Sequence, residues 1–296
     1  MSLKSIDPPA NIGIIGLGAI GKPIAQNIHQ AGFDVKLYSK NLYLRQDSFF
    51  KDVICSEDPK SVSKDCAALI ICVSDDQAVS EVLFGKNGAI DGLNQNTIVI
   101  DLSTISPKSA ESNFNLLAKR KIHYLDAPVT GGTEAAYKGE LTILIGGDKN
   151  VFNQVYNLLN TIGKNIYHFG TTGNGQRVKA INQILVAGTY ASVAEAVSIG
   201  QGLKLPMEEV ISALNHGAAG SWALKNRSKS MIEDHYPLGF KLSLHHKDLI
   251  IALKLAHDLG IDLPITSKVK NIEEELISNG YENYDVSVLR KSLKPN

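Results

Sequence analysis

Asn11-Ile-Gly-Ile-Ile15 is a short apolar run, and Gly16-Leu-Gly18-Ala-Ile-Gly21 follows it at once. From Pro23 to Ala31 apolar residues recur at helical spacing, Gly32 closes that helix, and Val35-Lys-Leu-Tyr38 reads as the next strand. A strand, a G-x-G-x-x-G turn, a helix and a second strand in so short a stretch are the signature of a dinucleotide-binding βαβ unit. No other feature limits the possible folds so strongly. Gly16 permits the tight turn, Gly18 lets a pyrophosphate approach the backbone, and Gly21 lets the helix pack on the strand. The expected cofactor cradle is therefore Gly16, Leu17, Gly18, Ala19, Ile20 and Gly21, at a helix N-terminus whose N–H groups favour an anion.

The end of the second strand bears on which dinucleotide is bound. A cofactor lacking a 2′-phosphate is normally held there by an Asp or Glu. Here the strand runs into Ser39-Lys40-Asn41, with one cation and no acid. Lys40 can pair with a 2′-phosphate while Ser39 and Asn41 donate to it, so NADP(H) is preferred and NAD(H) is the second choice. The competing reading of Lys40 is a solvated surface lysine.

Up to about residue 170, short β-rich runs alternate with helical segments. The strands expected are Ile12–Ile15, Val35–Tyr38, Ala67–Val73, Thr97–Leu102, Ile122–Ala127, Leu141–Ile145 and Asn165–Phe169, with helices such as Gln77–Phe84, Lys108–Lys119 and Val151–Leu159 between them. This predicts an α/β fold: a doubly wound, mostly parallel Rossmann domain over residues 1–172. After Gly173 only helical patterns remain, at Gln176–Leu203, Met207–Asn215, Trp222–Met231, Leu244–Leu259, Ser267–Ser278 and Val286–Leu293. They predict an all-α C-terminal domain over residues 173–296, with the boundary in the turn-rich Thr171–Asn174 cluster. The first of these helices, roughly 40 Å long at 1.5 Å per residue, suggests a homodimer or homotetramer built through it. Its apolar stretch Ile181–Leu203 approaches membrane-spanning length, yet Asn182, Gln183, Thr189, Ser192, Glu195 and Ser198 suit a buried inter-domain helix better.

The 30 basic and 30 acidic residues cancel, so no global field draws the chain to nucleic acid or to a membrane. Cys55, Cys66 and Cys72 are odd in number and form no C-x-x-C pair, which fits reduced thiols in a cytoplasmic protein. Cys72 lies in an apolar run and reads as a packed core thiol. The N-terminal residues lack the apolar core of a secretory signal.

Chemistry concentrates in Gly173-Asn-Gly-Gln-Arg-Val-Lys179-Ala-Ile-Asn182-Gln183. Spacings of three and four residues bring Lys179, Asn182 and Gln183 to neighbouring positions on one helix. A lysine at the mouth of a long apolar helix is costly to desolvate as a cation, so its pKa is expected to fall toward working pH. Such an amine beside amide groups can bind a carbonyl and pass it a proton. Two strand ends add polar groups: Asp101-Leu-Ser103-Thr104, and Asp126-Ala-Pro128-Val-Thr130-Gly131-Gly132-Thr133. Ligands of open α/β sheets sit at the carboxyl ends of strands, and consecutive glycines leave N–H groups free for a carboxylate. Taken singly, Ser103 and Thr104 also read as helix caps and Thr130–Thr133 as a turn. Gly239-Phe240-Lys-Leu-Ser-Leu-His-His-Lys247-Asp248 is a third segment suited to closing a site, although Lys247 and Asp248 also read as a surface pair. His245 and His246 lack acidic or cysteine partners at metal-ligand spacing, so neither a metal nor a catalytic histidine is expected.

These motifs, in this order from Asn11 to about Lys291, resemble the β-hydroxyacid dehydrogenases, the group of 3-hydroxyisobutyrate dehydrogenase, tartronate semialdehyde reductase and glyoxylate/succinic semialdehyde reductase. The resemblance implies that Lys179 is the general acid/base. It implies that Ser103, Thr130, Gly131 and Gly132 bind the substrate carboxylate and hydroxyl, with Asn182, Gln183, Phe240, Lys247 and Asp248 completing the substrate site. Val73, Ser74, Thr104 and Lys247 join the cofactor contacts. Val73-Ser74-Asp75 followed by Val79 and Val82-Leu-Phe84 is similar to the glyoxylate/succinic semialdehyde reductase branch. The chain departs from the family at Gln183, where a second Asn that contacts substrate is usual. The reading is an NADP(H)-dependent oxidoreductase that interconverts a short carboxylate-bearing semialdehyde or keto acid and its hydroxy acid. The rivals are an NAD-dependent 3-hydroxyisobutyrate-type dehydrogenase and a dinucleotide-binding scaffold without turnover.

Overall fold

A computed structural model describes residues 5–41, 51 and 53–293. By internal contacts the chain divides between Lys179 and Ala180 into two compact units.

In the first unit, β1 (Asn11–Ile15), β2 (Asp34–Tyr38), β3 (Ile54–Cys55), β4 (Ala68–Ile71), β5 (Ile98–Asp101) and β6 (His123–Asp126) form one sheet in the order β3-β2-β1-β4-β5-β6. Every pairing in it is parallel. The strands are apolar on both faces, as a sheet covered on both sides requires. Ile12, Ile14, Ile70, Ile98 and Ile100 pack into one core. The alternate residues Ile15, Leu69, Ile71, Val99 and Tyr124 pack into another. Period-two alternation thus feeds two cores from one set of strands.

The strands expected after Ala127 do not join that sheet. β7 (Val129–Thr130), β8 (Leu141–Ile145) and β9 (Gly163–His168) form a separate three-stranded sheet in which β7 runs antiparallel to β8. A lone bridge between Asp126 and Gly146 links the two sheets. The short strand β7 follows β6 after only two residues and pairs with β8 instead, and pattern alone does not register that change of sheet.

The second unit is helical: the remainder of the long helix Asn174–Gly202, then Met207–Asn215, Trp222–Ile232, Leu242–Asp258 and Pro264–Ser278. The last expected helix is a 3-10 segment, Val286–Ser292. The domain boundary expected at 172/173 marks where strands give way to helix. The contact division falls several residues later, because the first turns of the long helix are bonded to Asp126, Ser103 and Ile105.

The long helix is buried on one side only. Ala187, Tyr190, Val193, Ala194 and Val197 are buried in the core of the second unit, while Ile181, Leu185, Ile199 and Leu203 are each more than half exposed. Among the described residues no helix is long and apolar enough to cross a membrane, and no group of three or more His, Cys, Asp or Glu is placed to hold a metal ion. None of the three cysteines is in a disulfide, and burial pushes the Cys66 thiol to about 11 and the Cys72 thiol to about 12, which makes both poor nucleophiles.

Asp101 ends β5 with no solvent exposure. Burial raises its carboxyl to about 6, against the lowering effect of hydrogen bonds from Ser103 and Tyr124. A carboxyl raised on folding contributes stability that is fully present below the unfolded value of 3.8 and is lost as pH rises through about 6. Wild type should therefore lose stability relative to Asp101→Asn between about pH 4 and pH 7, by up to about 3 kcal/mol. Chemical denaturation of both proteins across that range checks this; parallel stability curves would refute it.

Candidate active site

The three glycines after β1 do different jobs. Gly16 has φ +96°, and a Cβ there would lie 2.1 Å from the Cys72 carbonyl oxygen. A Cβ on Gly21 would lie 2.0 Å from the Gly16 carbonyl. Beside Gly18 there is nothing within 4 Å, so that glycine leaves open space for a bulky group to approach the backbone. Helix Gly21–Gln30 starts after Ile20 with no side-chain cap and no acid in its first turn. Neighbouring helices beginning at Pro59, Asp76, Pro107 and Lys149 are capped by Asp58, Asp75, Ser106 and Asp148. An uncapped helix end with open backbone before it fits a pyrophosphate. The Leu17 side chain is buried in the core and Ala19 is exposed, so Leu17 offers its backbone to that cradle.

At the end of β2, Ser39 is buried and its hydroxyl accepts the Asn41 N–H at 3.2 Å. Lys40 is ion-paired with Glu81 at 2.6 Å, both side chains being more than half exposed. Sequence reading found no acid here because Glu81 arrives from helix Asp76–Phe84. The Ser74 hydroxyl donates to Asp75, and Thr104 lies half-buried one residue beyond Ser103.

Two buried carboxylates shape the loops around Lys179. Asp101 accepts the Ser103 N–H at 3.0 Å and the Tyr124 hydroxyl at 2.9 Å. Ser103 is 2% exposed; its oxygen accepts the Val73 N–H at 3.0 Å, and its hydroxyl also bonds the Asp101 carboxylate. Asp126, at the end of β6, accepts the N–H groups of Gly173 at 2.7 Å and Gln176 at 3.0 Å. It thereby caps the long helix from another element. Burial raises the Asp126 carboxyl, while these two backbone bonds lower it. The Gln176 amide donates to the Ser103 carbonyl at 2.8 Å and accepts from Ile105 N–H at 3.1 Å. Lys179, three residues on, is 6% exposed.

Gly131 and Gly132 adopt φ +127° and +70°, values that L side chains rarely take. Half-buried Thr130 pairs with Thr142 across β7 and β8. Glu134 lies in the first turn of the helix that follows, accepting from the Thr133 hydroxyl. An acid thus stands beside the turn read from sequence as an anion cradle.

In the second unit, Asn182 donates its Nδ2 to Gln183 Oε1 at 2.7 Å, and Gln183 donates its Nε2 to Asp248 Oδ2 at 2.8 Å. Lys247 stands 2.9 Å from the other Asp248 oxygen. Asp248 is 3% exposed, so the surface-pair reading of Lys247 and Asp248 falls. The Phe240 backbone is fixed by buried Asp285, which accepts the N–H groups of Gly239 at 3.0 Å and Phe240 at 2.8 Å. His245 does have an acidic partner: Glu273, 2.5 Å away, with both side chains fully buried. The sequence hides that pair because Glu273 sits on a different helix, Pro264–Ser278. Of the supporting residues that sequence reading missed, only Gln176 carried a signal, its three-residue spacing before Lys179. Asp285, Glu273 and Glu81 carried none.

The profile of the NAD binding domain of 6-phosphogluconate dehydrogenase matches residues 11–170. That of the NAD-binding domain of NADP-dependent 3-hydroxyisobutyrate dehydrogenase matches residues 173–293. The chain is 34% identical to the 2-hydroxy-3-oxopropionate reductase of Escherichia coli, over 96% of this chain and 97% of that one. It is 28% identical to the chloroplastic glyoxylate/succinic semialdehyde reductase 2 of Arabidopsis thaliana, over 96% of this chain and 79% of that one. A crystal structure of 3-hydroxyisobutyrate dehydrogenase from Salmonella typhimurium superposes with a TM-score of 0.88 at 26% identity, covering 96% of this chain and all of the other. With both profiles spanning nearly its whole length and the glycine cradle in place, the chain belongs to the β-hydroxyacid dehydrogenase family of NAD(P)-dependent oxidoreductases.

Proposed function

We propose that this enzyme reduces a small carboxylate-bearing aldehyde or keto acid to its hydroxy acid with NADPH, and that Lys179 is its general acid/base. The carrying observation is a lysine 6% exposed, on a helix whose first turn is tied to the Ser103 loop through Asp126 and Gln176. The bound nicotinamide supplies or accepts the hydride. As the carbonyl carbon gains that hydride, its oxygen gains negative charge, and the Lys179 ammonium passes it a proton and is left as the amine. A placed acid of this kind is worth about 10²–10⁴-fold. Ser103 joins Thr130, Gly131 and Gly132 in orienting the substrate carboxylate. The names of the Escherichia coli and Arabidopsis relatives both denote reductases of such aldehydes, which supports this substrate class. Three cysteines outside any disulfide support a reducing, cytoplasmic setting.

For the cofactor, Lys40 must leave Glu81 to meet a 2′-phosphate. An exposed ion pair is worth no more than about 1 kcal/mol, whereas hydrogen bonds to charged groups contribute about 1.5–3 kcal/mol. The phosphate should therefore win the lysine.

The exposed stripe of Ile181, Leu185, Ile199 and Leu203 along the long helix is the face we assign to a second copy of the chain. An apolar row of that length is uncommon on a monomer.

Three outcomes follow. Lys179→Ala should lower kcat by at least about 10²-fold with cofactor affinity nearly unchanged, followed as NADPH oxidation against a panel of semialdehydes and keto acids. Near-normal turnover by folded protein would end the acid/base assignment. NADPH should be preferred over NADH by roughly 10–100-fold in kcat/KM, reduced or inverted by Lys40→Asp and increased by Glu81→Gln; equal use of both cofactors returns Lys40 to a surface residue. In sedimentation velocity, wild type should run as a dimer or tetramer and Leu185→Glu should shift it toward monomer. A monomeric wild type would remove the assigned interface.

A further inference from the structure

Ser103 is assigned to the substrate carboxylate, yet its one hydroxyl proton is already engaged. Asp101 ends β5 beside it with no solvent exposure. One Asp101 oxygen accepts the Ser103 N–H at 3.0 Å and the other accepts the Tyr124 hydroxyl at 2.9 Å. The Ser103 hydroxyl donates to the same carboxylate, while its oxygen accepts the Val73 N–H at 3.0 Å. A hydroxyl has one proton and two lone pairs, so Ser103 is left with one lone pair and nothing further to donate. An arriving carboxylate is an acceptor only. Two carboxylates therefore compete for one proton, and the buried one holds it first.

A proton on Asp101 changes that contest. Hydrogen bonds to a charged group are roughly twice as strong as those between neutral groups. Neutralising Asp101 thus loosens its hold on the Ser103 hydroxyl, and the substrate carboxylate becomes the stronger acceptor. The surroundings bring this proton within reach. Burial, opposed by the bonds from Ser103 and Tyr124 and reinforced by Asp126 on β6, raises the Asp101 carboxyl to about 6. Its other titratable neighbours do not compete. Burial pushes the Tyr124 hydroxyl well above its ordinary range and the Cys72 thiol up to about 12, so both keep their protons. Asp126, also raised by burial, is bonded instead to the Gly173 and Gln176 N–H groups.

We propose that Asp101 is a positioning residue that couples substrate binding to proton uptake: one proton passes from solution onto Asp101 as the Ser103 hydroxyl turns from Asp101 to the substrate carboxylate. The inference rests on the proposed role of Ser103, and every group in it belongs to the first unit. Linkage fixes the sign, because a ligand that favours the protonated form is bound best where that form prevails. Affinity for the anion is greatest below about pH 6 and falls as pH rises through that value.

The test measures KM for 2-hydroxy-3-oxopropionate at saturating NADPH, from about pH 5 to about pH 8, in wild type and in Asp101→Asn. The variant carries no titrating group at that position. Both proteins share Lys179, whose own titration cancels in the ratio of wild-type to variant KM. That ratio should climb by about 10-fold or more across the range, the worth of one hydrogen bond to a charged group. A merely structural role would give a ratio that is constant with pH. Tyr124→Phe removes a bond that favours the ionised carboxylate, so its KM should begin to rise at higher pH than that of wild type, which carries the test should Asp101→Asn not fold. A wild-type KM flat over the range, a constant ratio, or a Tyr124→Phe rise that coincides with the wild-type one overturns the coupling alone. A wild type that binds NADPH but reduces no carboxylate-bearing aldehyde overturns the proposed function and this inference with it.

Discussion

A single buried carboxylate sets the register of the first unit. Asp126 has no solvent exposure and receives the Gly173 and Gln176 N–H groups. The first N–H groups of a helix have no intrahelical partners, and a negative charge there is favoured by the helix dipole. Strand β6 thereby holds the start of the long helix. The approach is close enough to demand glycine: a Cβ at Gly146 would lie 2.5 Å from Asp126 Oδ1, and one at Gly175 would lie 2.8 Å from Asp126 Oδ2. Gln176 then spends both ends of its amide on Ser103 and Ile105. Lys179 follows one turn later, on a helix whose start these bonds hold.

The same device recurs. Asp101 orders the Ser103 loop through the Ser103 N–H. Asp285 holds Gly239 and Phe240 together with the Ser287 N–H and hydroxyl, and Asp248 aligns Gln183. Each carboxylate is buried and hydrogen-bonded, as desolvated charge requires. Asp101 and Asp126 also repel each other, which adds to the burial that raises Asp101. The loops are thus pinned by buried, hydrogen-bonded acids.

Chemical roles are also separated by helix ends. Where a ligand anion is expected, at Gly21, the helix end is left without a cap. Where the helix must be held in place, as at Gly173, a buried acid fills the end. Gly131 begins its helix without a side-chain cap but with Glu134 in the first turn. A substrate carboxylate arriving there would meet that acid as well as the open backbone.

The chain carries its fold class in local patterns. Period-two apolar runs at Ile12–Ile15, Ala68–Ile71 and Ile98–Ile100, with G-x-G-x-x-G after the first, are short-range signals, so the parallel sheet and the helical second half were legible from spacing alone. The glycine cradle was legible for the same reason, since Gly16 and Gly21 answer to their near neighbours. Tertiary structure decided what depends on residues far apart. It moved β7, β8 and β9 to a sheet of their own, brought Glu81 to Lys40, and gave His245 its Glu273. It also set Gln183, which the family resemblance implies is a substrate contact, against Asp248. In each case the partner lies on another element, and hydrogen-bond satisfaction in a buried place is settled by packing that no periodicity encodes.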